Sequence, residues 1–161
     1  MSQFEQERLK EFEENDMIVY PHYFHTTATF KDFIIRYDTI LNPSQIRNDI
    51  VVSVAGRVVE KRSVGKKLVF YTVSSNGHTL QYLANLQHYE DKERFTTINK
   101  LIHRGDIVGA IGYPGKSKTG ELSIYPIELK ILTPCFKQYI PKQHFGLQDV
   151  DLRFKNRHFG K

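Results

Sequence analysis

Residues 50–84 read IVVSVAGRVVEKRSVGKKLVFYTVSSNGHTLQYLA, and the periodicity of this stretch decides the fold. Ile50 to Arg62 is long and rich in β-branched residues, with Gly56 in its middle, where a bend or bulge is the usual reason for glycine. Gly65 marks a turn. Leu68 to Val73 is a second strand whose alternation puts Val69, Tyr71 and Val73 on one face and Leu68, Phe70 and Thr72 on the other. Asn76-Gly77 is a hairpin signal. A third strand follows from His78 to Ala84, where Leu80, Tyr82 and Ala84 alternate with Thr79, Gln81 and Leu83.

Further along, residues 90–102 are polar with Phe95, Ile98, Leu101 and Ile102 at helical spacing. Gly105 to Gly112 reads as a fourth strand and Glu121 to Leu132 as a fifth, separated by a loop rich in Gly, Pro and Lys. Three strands, a helix and two more strands, with a long bent first strand, is the order of an OB-fold. The predicted fold is thus mainly β, a five-stranded, partly open Greek-key barrel with a helix between strands 3 and 4. In such barrels the strand 2–3 face and flanking loops bind oligonucleotides.

Upstream the pattern is helical. Residues 2–16 place Phe4, Leu9 and Phe12 roughly on one side, a piece too short to be stable without packing against something. Tyr20-Pro21 ends that helix. Thr29 can cap a second helix from Phe30 to Tyr37, which Asn42-Pro43 closes. The expected division is a helical extension at 1–45, the barrel at 46–136 and a linker at 137–161.

The totals narrow the class. The chain has 161 residues, enough for one domain with a small extension at either end. No apolar run approaches the roughly 18 residues of a membrane span. The acidic, polar start is unlike a signal or transit peptide. The single cysteine, Cys135, excludes an internal disulfide and a thiolate zinc site, and the expected compartment is the cytosol. Charge is unevenly spread: residues 1–16 carry six acids and two bases, a net of −4, so a total of +5 leaves +9 on the rest. A basic body of this size attracts polyanions, nucleic acid first among them.

Alternation then sorts the candidates for contact. Phe70 points outward, where an aromatic ring can stack on a base. Gln81 lies beside it, and its amide can both donate to and accept from the edge of an unstacked base. Glu121 and Ser123 fall opposite Leu122 and Ile124 and also face outward. A carboxylate at Glu121 would accept from a base and repel a phosphate, so it suits base reading. Arg57, Lys61, Arg62, Lys66 and Lys67 on one side, with Lys116 and Lys118 on the other, would make an electrostatic groove for a single strand.

Gly115-Lys116-Ser117 is not a phosphate-binding P-loop. The glycine needed five residues earlier is Ala110, and a strand follows where the motif needs a helix. His22, His25, His88 and His103 lack ligand spacing, and no catalytic constellation or metal site is visible.

Several strings resemble one family. Val54-Ala55-Gly56-Arg57, Lys61-Arg62-Ser63, Gly65-Lys66-Lys67-Leu68 and Phe70-Tyr71 look like the opening strands of the anticodon-binding domain of class II lysyl-tRNA synthetases. So do Arg104-Gly105-Asp106-Ile107-Val108-Gly109, Pro114-Gly115-Lys116-Ser117-Lys118, Gly120-Glu121-Leu122-Ser123-Ile124 and Leu132-Thr133-Pro134-Cys135. Tyr20-Pro21-His22, Phe24-His25 and His144 to Asp149 extend the match to roughly residues 8–157. The resemblance implies an OB-fold that grips the anticodon stem-loop of tRNA-Lys. By position it makes Phe70 the ring that stacks on the central uridine, Arg62 and Gln81 the side chains that bond that base, and Glu121 an anticodon-contacting acid.

It also implies a larger parent, a lysine-tRNA ligase, usually dimeric, whose separate catalytic domain uses ATP and Mg. No cofactor is expected within this chain. Arg153-Phe154-x-x-Arg157 resembles the entry to that domain, after which His158 to Lys161 depart from the pattern. The chain is therefore expected to be the anticodon-binding region of a synthetase, with residues 137–161 leading toward the catalytic domain. The alternatives are a free-standing RNA-binding relative and a synthetase-assembly module, the latter suggested by the acidic helix at 2–16 and the aromatic 20–37 segment. The Pro-Gly-Lys-Ser-Lys and Gly-Glu-Leu-Ser-Ile strings favour the lysine enzymes over aspartate- or asparagine-specific ones.

Overall fold

The structure, a computed structural model, describes residues 3–15 and 24–135. The expected break at Tyr20-Pro21 and the 137–161 linker lie outside the described residues. The elements are α1 (Gln3–Glu14), α2 (Phe30–Tyr37), β1 (Val52–Val64), β2 (Leu68–Ser75), β3 (His78–Asn85), α3 (Lys92–Leu101), β4 (Ile107–Lys116) and β5 (Leu122–Thr133). The strands close a barrel in the order β1-β2-β3-β5-β4. Every neighbouring pair is antiparallel except β3 and β5, which run parallel and meet at Gln81↔Ser123 and Tyr82↔Ile124. The five-stranded barrel with a helix between β3 and β4 is the one expected from the sequence, and its strands close on themselves.

The length of β1 follows from its two neighbours. Its first half, Val52 to Arg57, pairs with β4, and Arg57 to Val64 pairs with β2. Gly56 is not itself the bulge. The register slips two residues later, between Val58 and Glu60. Gly56 instead thins the barrel wall: a Cβ there would sit 2.7 Å from Phe30 Cζ and 2.8 Å from Val73 Cγ1. Leaving it out admits the Phe30 ring of α2 against the barrel interior.

Alternate residues of the strands fill that interior. Val54, Val58, Tyr71, Val73, Tyr82 and Ile124 have no exposed surface. Burying each large side chain stabilises the fold by about 1.5–3 kcal/mol. The two tyrosines need partners for their hydroxyls. Tyr71 Oη donates to Asn99 Oδ1 at 2.6 Å, and Tyr82 Oη donates to the Val108 carbonyl at 2.9 Å. Burial pushes both phenols up, so they remain neutral donors. The helices seal the rest. Capped by Asp91, α3 buries Phe95, Ile98 and Leu101. The second helix, α2, starts where Thr29 Oγ1 accepts from the Asp32 N–H at 3.0 Å, as its sequence predicts, and it buries Phe30, Phe33 and Tyr37.

β4 runs further than the sequence suggested, through Pro114-Gly115-Lys116. Proline is tolerated there because of the way its backbone faces. Lys116 N donates to the Gln45 carbonyl at 2.9 Å, and the Pro114 carbonyl accepts from Arg47 N at 2.9 Å. The missing Pro114 N–H therefore belongs to the side that meets residues 45–47, and the ladder to β5 is spared.

The first helix is fastened by an ion pair. Its buried residues are Arg8 and Phe12, with Phe4 and Leu9 half-buried; of the expected Phe4, Leu9 and Phe12, only Phe12 is fully buried, and Arg8 joins it. Arg8 Nη1 lies 2.6 Å from Asp106 Oδ1 and Nη2 lies 2.9 Å from Oδ2, with the two side chains 2% and 0% exposed. Arg8 also donates to the carbonyls of Leu101 at 2.8 Å and Cys135 at 2.9 Å. Asp106 in turn accepts from the N–H groups of His103 and Cys135. Such a pair gains little over an apolar replacement of both partners, but removing one strands the other charge. Arg8→Ala should therefore lower the unfolding free energy in urea by about 3–5 kcal/mol. A loss below about 1 kcal/mol would show that the pair does not hold the helix.

Candidate nucleic-acid interface

One part of the barrel's outer wall is covered from within the chain. Thr27 N donates to the Ser53 carbonyl at 2.9 Å, and Ser53 Oγ donates to the His25 carbonyl at 2.7 Å. A Cβ at Gly109 would lie 2.6 Å from Phe24 Cζ, so the end of the Phe24 ring packs against β4 there. Residues 24–27 thus screen the first half of β1 and its neighbour β4. Among the described residues, the outer face formed by the end of β1 with β2, β3, β5 and the end of β4 carries no such cover, and it holds the expected contact residues.

On that face the register sets two rows. Arg62 pairs with Phe70, which pairs with Leu83. Glu60 pairs with Thr72, which pairs with Gln81, which meets Ser123 across the parallel seam. Gln81 is accordingly diagonal to Phe70 rather than directly opposite it. The Arg62 guanidinium lies 4.6 Å from the centre of the Phe70 ring, a cation–π stack in which Arg62 is exposed and Phe70 half-buried. Gln81 Nε2 donates to Ser123 Oγ at 2.8 Å, and Ser123 Oγ donates to the Glu121 carbonyl at 2.9 Å. Ser123 is outward yet wholly buried by these partners. Glu121 stands just before β5, exposed, with its N–H held by Ser117 Oγ at 3.1 Å. The arrangement offers a ring, a guanidinium, a fixed amide and a carboxylate within one patch.

The basic residues divide. Lys66 and Lys67 in the β1–β2 turn, and Lys118 in the β4–β5 turn, are exposed at the edges of the patch. Three others are committed elsewhere. Lys61 pairs with inward-facing Tyr71, because the bulge between Val58 and Glu60 reverses the alternation set by Arg57. Its ammonium bonds the carbonyls of Asn99 and Ile102 at the end of α3, where a cation suits the helix dipole. Burial lowers the Lys61 pKa, and Asp106 partly opposes that shift. Lys116 points the other way, 2.7 Å from the Asp38 carbonyl and 3.6 Å from its carboxylate. Arg57 faces outward but gives Nη1 to the Gly105 carbonyl at 2.7 Å. The expected rail of seven cations is a smaller set.

Sequence reasoning did not single out a cluster at the far end of the face. His88, from the loop after β3, meets Tyr113 at 6.2 Å and Tyr125 at 5.7 Å between ring centres, edge to face at 88° and 79°. Tyr113 and Tyr125 are cross-strand partners of β4 and β5. The signal existed in the alternation Ile111, Tyr113, Gly115, but it is lost when β4 is ended at Gly112. Among the described residues no grouping of His, Cys, Asp and Glu could hold a metal ion. No helix there is long and apolar enough to cross a membrane.

A closed barrel of this order, with an aromatic and polar outer face edged by lysines, defines an oligonucleotide-binding class. The chain belongs to it: residues 52–132 match the family model of the tRNA anti-codon OB-fold nucleic acid binding domain. Among curated proteins it is similar to the lysine–tRNA ligase cla4 of Cladosporium cladosporioides, 35% identical over 144 residues, 86% of this chain and 24% of that protein. The probable cytoplasmic lysine–tRNA ligase of Encephalitozoon cuniculi is 31% identical over 87% of this chain and 26% of its own length. The lysine–tRNA ligase of Thermotoga maritima is 30% identical over 98% of this chain and 31% of its own length. The chain thus spans about a quarter to a third of these relatives.

The division of the cations is open to measurement. Lys61→Met should cost about 1–3 kcal/mol of stability, because two helix-end carbonyls lose a charged donor. Lys66→Met and Lys118→Met should stay within about 0.5 kcal/mol of the parent. Equal effects of all three in urea unfolding would contradict this assignment.

Proposed function

We propose that the chain reads the anticodon of tRNA-Lys and serves as the recognition part of a lysine–tRNA ligase. The observation that carries the reading is the patch on β1, β2, β3 and β5, where Phe70 offers a stacking face beside an oriented amide. The bond from Gln81 to Ser123 leaves the amide's carbonyl and second N–H for a base edge. Arg62 adds donors for a base carbonyl, and exposed Glu121 adds an acceptor. Lys66, Lys67 and Lys118 supply the sequence-independent attraction for the backbone. The relatives are named lysine–tRNA ligases, which agrees with the strings this chain shares with that family.

In this reading joining lysine to tRNA, with its need for ATP and Mg, belongs to the portion of the relatives that this chain does not span. The compartment is the cytoplasm, as in the name of the Encephalitozoon relative. A second role, in assembly, is favoured by the exposed apolar side chains Ile35, Ile40 and Val51, at 67%, 54% and 54% exposure, in and around α2. The acidic helix α1 is not part of that surface on its buried side, since Arg8 and Phe12 pack it on the barrel.

Titration with a labelled stem-loop bearing a UUU anticodon tests the main reading. Replacing its central uridine with cytidine should weaken binding about tenfold or more, and Phe70→Ala should cost about 1–3 kcal/mol. Equal affinity for the two RNAs would defeat the claim of base reading. For the assembly role, light scattering over a concentration series should show association that Ile35→Ser abolishes; a monomer at every concentration would exclude self-association.

A further inference from the structure

The row that begins at Arg62 and Phe70 does not stop at Leu83. Two residues beyond the pair Gln81↔Ser123 come Leu83 on β3 and Tyr125 on β5, and Tyr125 pairs with Tyr113 on β4. The outer face therefore carries two cross-strand pairs, Phe70 with Leu83 and Tyr125 with Tyr113, and His88 packs against both tyrosines. Leu83 and Tyr125 are 7% and 6% exposed and form the floor. Tyr113 and His88 are half-buried and keep part of their surface open to solvent. Three strand spacings separate Phe70 from Tyr113, roughly 14 Å, too far for one base to touch both.

This end of the face is built to be rigid. Gly115 lies against Tyr125: a Cβ there would come within 2.7 Å of Tyr125 Cε1 and 2.8 Å of the Gln45 carbonyl oxygen, so a larger residue would displace the ring. Tyr125 Oη then donates to the Lys116 carbonyl at 3.2 Å. The loop bearing His88 is stapled on several sides. Lys92 Nζ donates to the carbonyls of Leu86, Gln87 and Tyr89 at 2.9, 3.1 and 3.2 Å. Glu90 N donates to the Ile127 carbonyl, and Tyr89 Oη accepts from Leu129 N at 3.0 Å. Burial and then Lys92 lower the His88 pKa, so the ring is a neutral stacking surface at physiological pH. Lys92 also brings positive charge beside the rings.

We infer that Tyr113 and His88 form a second stacking platform, which takes another unpaired base of the same single-stranded RNA loop that places a base on Phe70. The inference rests on the proposed anticodon reading and extends it from one base to two. A preformed aromatic corner on a basic barrel, on the same outer face as the first platform, suits a flat heteroaromatic ring whatever its identity. Arg62, Gln81 and Glu121 supply base discrimination around the first platform, whereas Tyr113 and His88 supply affinity that any base satisfies.

Stem-loops lacking one anticodon base at a time, measured with the full chain, test this. Tyr113→Ala should weaken the intact stem-loop by about five- to a hundredfold. It should have no effect on the RNA abasic at one position, and that position should differ from the one that silences Phe70→Ala. Tyr113→Phe should bind like the parent, and His88→Ala, in a loop outside the barrel core, should weaken the same position. Full affinity of Tyr113→Ala and His88→Ala alongside a weakened Phe70→Ala would overturn the second platform and leave the anticodon reading standing. Loss of affinity that ignores which base is missing would overturn it too, as damage to the fold. Failure of the parent chain to bind the stem-loop would overturn both.

Discussion

Two residue pairs close this barrel. Where β3 meets β5 in parallel, Tyr82 and Ile124 turn inward and Gln81 and Ser123 turn outward, so one short seam serves both core and surface. Its inner half is dry: Tyr82 and Ile124 are fully buried, and the tyrosine hydroxyl is satisfied by Val108 on β4. Its outer half fixes the amide of Gln81 through Ser123 Oγ. Side chains on a strand alternate, so slipping the seam by one residue would send the amide into the core and the tyrosine into water. The register that stabilises the fold therefore also aims the amide. An antiparallel ladder of many pairs could drift in strength without cost to geometry, but a seam of two cannot.

The rest of the molecule supports that seam from a distance. β1 reaches both β2 and β4 because it is long and because Gly56 leaves room for Phe30 in the wall. The bulge at Val58 and Glu60 then turns Lys61 inward and brings Arg62 out beside Phe70. One extra residue in a strand thus decides which of two adjacent cations packs under a helix and which lies on an aromatic ring. Their sequence neighbourhoods are nearly identical; their roles are opposite.

Much of this was legible in the chain. Period-two alternation placed Tyr71 and Val73 inside and Phe70, Gln81 and Ser123 outside, because hydrophobic burial acts on a strand one face at a time. Thr29 announced its helix because capping is local. What escaped was set by contacts distant in sequence or by breaks in the period. The bulge cannot be read from residues 57–62 alone, so Lys61 was grouped with Arg62. Pro114 looked like the end of β4 because its tolerance depends on residues 45–47, nearly seventy positions away. Arg8 and Asp106 lie 98 positions apart, and nothing local in an acidic helix marks one arginine as buried.

That last contact has a structural consequence. Arg8 lies in α1 and Cys135 just after β5, yet both bond the same Asp106 carboxylate. The entering and departing stretches of chain are thus clasped at one point, beside the end of α3. Loss of the single Asp106 carboxylate would therefore release α1 and the segment after β5 together.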